Sequence, residues 1–84
     1  MRVLYLYWMK DDPDRVTSTA PQHASYWHEL GLPAYLGGPF GDRSGGLITF
    51  GAESLEQAEG IIAADPFVRE NLLESSVVKQ WMTE

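Results

Sequence analysis

Two histidines and no cysteine in 84 residues make proton transfer at an imidazole the chemistry that these side chains offer most directly. On a helix turning about 100° per residue, Ala20, Ala24, Trp27 and Leu30 form one apolar stripe. His23 falls within that stripe, whereas His28 points away from it toward solvent. The same construction further along puts Asp65 at the last turn of a second helix, on the stripe made by Ala58, Ile61 and Ile62. If both stripes pack on one sheet, the carboxylate can bond one imidazole nitrogen and so fix the tautomer and basicity of the other. The spacing therefore predicts a general acid/base pair, His23 with Asp65. Each residue also has an ordinary structural reading: an Asp before Pro66 is a common helix cap, and a lone His on an apolar face is commonly a satisfied core residue.

Other chemistries find less support. The two histidines lie five residues apart on different helix faces, and no carboxylate clusters with them, so no metal is expected. The glycine-rich run Gly37-Gly38-Pro39-Phe40-Gly41 does not open a helix and so lacks the amides that cradle a phosphate. There is no Gly-x-Ser-x-Gly elbow to activate a serine. Tyr5, Tyr7, Trp27 and Tyr35 have the flat apolar surface of a pocket for a small organic ligand, although aromatics in so small a domain usually serve core or interface. Tyr7 and Trp27, with Gly38 and Pro39, are the candidate ligand-contacting residues.

The elements that must position these groups follow from the pattern. Val3 to Met9 is a run of β-branched, aromatic and aliphatic residues ending at the polar turn Lys10-Asp11-Asp12-Pro13-Asp14, which reads as a strand. Thr17 or Ser18 can cap a helix that closes at Gly31. Pro33 to Phe40 and Leu47 to Gly51, joined by a Gly/Asp/Ser-rich loop, read as a β-hairpin. Ser54 with Gln57 is a capping-box signature for the helix that carries Leu55, Ala58, Ile61 and Ile62. Asp65-Pro66 starts a short helical turn to Leu72 or Leu73, and Ser76 to Met82 returns to strand. The order βαββαβ predicts one α+β domain over residues 1–84, ferredoxin-like, with a four-stranded antiparallel sheet and two helices on one face.

The sheet's other face then needs a cover. In the first strand the alternating sets are Leu4, Leu6, Trp8 and Val3, Tyr5, Tyr7, Met9, and neither is polar. A chain this short, without disulfides, leaves much apolar surface exposed, so a homodimer through the open sheet face is expected, with the Tyr5/Tyr7 set as the buried seam. Twelve acidic against six basic residues, a net charge of −6, argue against nucleic acid as a partner. The opening apolar run is too short to cross a bilayer, and Lys10-Asp11-Asp12 stands where a signal peptide would have a small-residue cleavage site; no membrane partner and a cytoplasmic location are expected.

Several segments together resemble the YciI-like, or YCII-related, family: the opening strand, Pro21-Gln22-His23 in the first helix, Gly38-Pro39 at the end of the second strand, the Glu53-to-Ala58 run, Ala64-Asp65-Pro66-Phe67, and the closing Val77-to-Trp81 strand. The resemblance covers nearly the whole chain. It implies the dimeric α/β-barrel version of the ferredoxin-like fold, with the family's shared His and Asp falling on His23 and Asp65. It also implies a cofactor-independent activity of lyase or isomerase type on a small organic molecule, similar to dehydrochlorinases and muconolactone-isomerase-like enzymes. The alternative is a non-catalytic ligand-binding or accessory module. Many relatives carry a basic residue shortly before the His, where this chain has Ala20-Pro21-Gln22.

Overall fold

The computed structural model describes residues 1–84. The chain runs β1 (Arg2–Met9), α1 (Pro13–Glu29), β2 (Leu36–Pro39), β3 (Gly45–Gly51), α2 (Leu55–Ala63), α3 (Pro66–Arg69) and β4 (Leu73–Trp81). The strands form one antiparallel sheet in the order β2-β3-β1-β4, which is the ferredoxin-like arrangement.

The helices start where caps allow them to. Asp12 caps α1 by accepting from the Arg15 amide, with Pro13 in the first turn where a missing N–H costs nothing. The helix therefore begins a full turn before the Thr17 or Ser18 expected from sequence. The Asp-Pro signature at 12–13 is the one used again at 65–66, but here it follows a charged run that reads equally well as a turn. Ser54 caps α2 as expected: its hydroxyl accepts from the Gln57 amide at 3.0 Å while the Gln57 side chain accepts from the Glu53 amide at 2.8 Å. The turn at α3 ends at Arg69 and β4 opens at Leu73, earlier than the Ser76 predicted.

Register settles which face is which. Val3, Tyr5 and Tyr7 sit opposite Phe50, Ile48 and Gly46 on β3, and all but the glycine join Trp27, Ala58, Ile62, Phe67 and Leu72 in one buried core. All three helices thus lie on the Tyr5/Tyr7 face. This overturns the expectation that this set forms the seam between subunits: Tyr5 is fully buried within one chain. The open face carries Leu4, Leu6 and Trp8, flanked in register by Leu47 and Val77, with exposed Leu36 and Trp81 on the outer strands. Both β1 sets are apolar, so alternation alone could not choose between them. The two tyrosines go inward because aromatic rings from α1 and α3 meet them there: Trp27 lies 6.1 Å from Tyr5 and Phe67 lies 6.2 Å from Tyr7.

Candidate active site

His23 and Asp65 meet. The inward face of α1 delivers His23 and, four residues on, Trp27, one turn apart on the same stripe. Asp65 does not belong to the last turn of α2, as the helical stripe suggested. The helix ends at Ala63, and Asp65, in extended conformation, caps α3 by accepting from the Phe67 amide at 2.9 Å. The proline at 66 forces this break, because it cannot continue α2 and favours an extended residue before it.

From that position the carboxylate gathers donors. His23 Nδ1 lies 2.8 and 2.9 Å from its two oxygens, and Trp27 Nε1 donates to Oδ2 at 2.9 Å. Asp65 is wholly buried, so these bonds replace water. Because a carboxylate only accepts, Nδ1 carries the proton, and in the neutral ring Nε2 holds the free lone pair. The ring stacks on Phe67 with centroids 4.2 Å apart. The Tyr7 hydroxyl lies 3.4 Å from Nε2.

The imidazole and Tyr7 form part of the wall of a cavity of about 860 Å³, bounded by the N-terminal half of α1, β2 and the β2–β3 turn. Tyr35 and Phe67 add aromatic wall, Gly38 and Pro39 line the side formed by β2, and the charged lining is mixed, Lys10 and Arg43 with Asp11 and Asp12. Burial pushes the Tyr7 phenol up to about 12, with the negative charge of Asp65 adding to the effect. Tyr35 is raised in the same direction by the same causes, burial first. Both therefore keep their protons at neutral pH.

Of the residues singled out from sequence, His23, Tyr7, Gly38 and Pro39 all face this cavity, and Asp65 stands directly behind His23. Trp27 does not face it. Its ring is 1% exposed and packs among Tyr5, Tyr35 and Phe50, so its part is to hold Asp65 rather than to touch a ligand. His28 is exposed, as predicted, yet it also lines the cavity's outer margin beside Tyr35. Sequence reasoning missed Lys10, Arg43 and the stacking role of Phe67. The first two lie in turns, whose side-chain directions no periodicity encodes; Phe67 was visible only as part of the Asp-Pro-Phe segment.

A ferredoxin-like α+β unit with a buried Asp bonded to a cavity-facing His defines the class. The chain belongs to the YCII-related domain family, whose model matches residues 3–82. Among solved structures it is similar to 5-chloro-2-hydroxyhydroquinone dehydrochlorinase (TftG) from Burkholderia phenoliruptrix AC1100, in complex with 2,5-dihydroxybenzoquinone. That likeness has a TM-score of 0.88 and 20% identity, covering 100% of this chain and 96% of the other, and it shows a shared fold. The protein Atu4242 from Agrobacterium tumefaciens aligns with a TM-score of 0.43 at 16% identity, over 93% of this chain and 88% of that one. No curated protein matches the sequence.

Proposed function

We propose that this protein is a small cofactor-independent enzyme of lyase or isomerase type, in which His23 moves a proton and Asp65 orients and balances it. The observation that carries the reading is the bonded His23–Asp65 pair, whose imidazole stands in the wall of a cavity large enough for a small organic molecule. A carboxylate fixed on Nδ1 leaves Nε2 as the basic nitrogen and stabilises the imidazolium that forms when it accepts a proton. Aromatic walls from Tyr7, Tyr35 and Phe67 suit a planar ring, while Lys10 and Arg43 are offset by Asp11 and Asp12 in the same lining. The similar dehydrochlorinase binds a hydroxylated quinone; chlorinated hydroxyhydroquinones, hydroxyquinones and small lactones are therefore the first substrates to screen. We place the protein in the cytoplasm, consistent with its lack of cysteine and with no helix long and apolar enough to cross a membrane.

One observation favours a second reading. Asp65 bonds His23 and Trp27 of α1 and the backbone of α3 at once, which is also what a structural joint between helices requires. His23→Gln separates the two. In the enzyme reading the variant remains folded and loses at least about a hundredfold in turnover of a screened substrate; a lowered melting temperature with turnover intact would favour the joint.

The proposal includes a homodimer in which the open sheet faces of two copies cover each other, Leu4, Leu6, Trp8, Leu47 and Val77 forming the seam. The support is the cluster of apolar side chains on that face, set among Arg2, Thr49 and Lys79 and covered by no helix of this chain.

A further inference from the structure

A second proton-bearing group stands beside the reactive nitrogen of His23 in the cavity wall. With Nδ1 held by Asp65, the group on the remaining nitrogen is the Tyr7 hydroxyl, 3.4 Å from Nε2. That phenol is pinned. Tyr7 is 3% exposed, its ring lies 5.2 Å from that of Tyr5 and 6.2 Å from that of Phe67, and the residue opposite it on β3 is Gly46. A Cβ at position 46 would overlap the Tyr7 hydroxyl and come within 2.6 Å of its Cζ, so the glycine forms the slot that receives the ring. His23 is equally held, between Asp65 and the face of Phe67. Both rings are held in place, and both line the same cavity.

Resting on the acid/base reading above, we infer that the Tyr7 hydroxyl is the catalytic residue that exchanges a proton with the bound molecule, and that His23 and Asp65 act through it. When a substrate is deprotonated, its C–H or O–H bond breaks as a new O–H bond forms on the phenol oxygen. The phenol's original O–H bond breaks as an N–H bond forms on Nε2, and the resulting imidazolium is balanced by Asp65. Running the same two transfers in reverse returns the proton to a different atom, or to a departing anion, and restores the starting state. No oxidant or second reactant is needed. The phenol stays neutral at rest, as a relay must, since burial and the nearby carboxylate disfavour its anion.

Tyr7→Phe keeps the ring and removes only the hydroxyl. Nitrogen NMR of the histidine-labelled full chain is expected to show the His23 Nε2 resonance shifting in this variant while Nδ1 stays protonated. Turnover of 5-chloro-2-hydroxyhydroquinone, or of whichever screened compound the natural chain consumes, is expected to fall about a hundredfold in kcat with KM little changed. A 3-fluorotyrosine placed at position 7, which preserves packing but makes the phenol more acidic, is expected to move the alkaline limb of the kcat profile to lower pH. An unmoved Nε2 resonance in Tyr7→Phe would overturn the relay, as would full turnover by Tyr7→Phe where His23→Gln has none. Full turnover by both variants would instead remove the His23–Asp65 reading, and the relay with it.

Discussion

At the scale of single residues, Asp65 connects the candidate chemistry to the stability of the fold. Its two oxygens serve three donors, from His23, Trp27 and the Phe67 amide. Asp65→Asn would turn an acceptor oxygen into an NH₂ facing donors, leaving at least one buried donor unpaired. A stability loss of about 1–3 kcal/mol is expected by chemical denaturation, together with a shift of the His23 proton from Nδ1 toward Nε2 visible by NMR. Tyr7 makes a prediction about alkaline pH. Its phenol rises from an ordinary 10.0 to about 12 in the folded chain, so the native state keeps this proton where the unfolded chain gives it up. The associated stability is fully present below about pH 10 and drains away as pH climbs toward 12. Urea unfolding at pH 9 and pH 11 should show a smaller decline in Tyr7→Phe than in the natural chain; Tyr5, raised still further by its burial, contributes in the same direction in both.

At the scale of elements, caps and one glycine set the geometry on which the cavity depends. Ser54 supplies the α2 cap that directs that helix toward Asp65, and Ser54→Ala should cost about 1 kcal/mol in thermal or urea unfolding. The slot at Gly46 is more demanding. Gly46→Ala would set a methyl group against the Tyr7 ring and 2.8 Å from the Gly38 carbonyl oxygen, neither of which has room to retreat without disturbing β2 or the core. A loss of about 1–3 kcal/mol is expected, with a displaced Tyr7 ring resonance. A variant as stable as the natural chain with an unmoved Tyr7 ring would show that the slot is not selective for glycine.

At the scale of the whole molecule, the sheet divides the chain into a face buried by its own helices and an uncovered face centred on Leu4, Leu6, Leu47 and Val77. The homodimer proposal makes Leu6 central, since it lies between Leu47 and Val77 in register on the open side. Leu6→Glu should yield a folded monomer in analytical ultracentrifugation, where the natural chain sediments as a dimer. Charging Tyr5 should instead unfold the chain, because that side chain is wholly enclosed within one subunit. A natural chain that remains monomeric at tens of micromolar would leave the open face without the proposed cover.

The element order, the α2 capping box and the inward stripe carrying His23 were legible in the amino-acid sequence, because each depends on neighbours within a turn or two; Asp65 was singled out on an α2 stripe that the helix does not reach, and by the family resemblance. Packing decided the rest. The sequence could not choose which apolar set of β1 turns inward, since both satisfy the alternation; the aromatic surfaces that α1 and α3 bring to the sheet, and the absence of a side chain at Gly46, settle it for Tyr5 and Tyr7. Trp27 likewise reads as a possible ligand contact until the fold turns its indole N–H toward Asp65. Lys10 and Arg43 reach the cavity from turns, so their place there depends on how distant segments close around it. Local sequence encodes which groups lie on one face of an element; only long-range packing determines what that face meets.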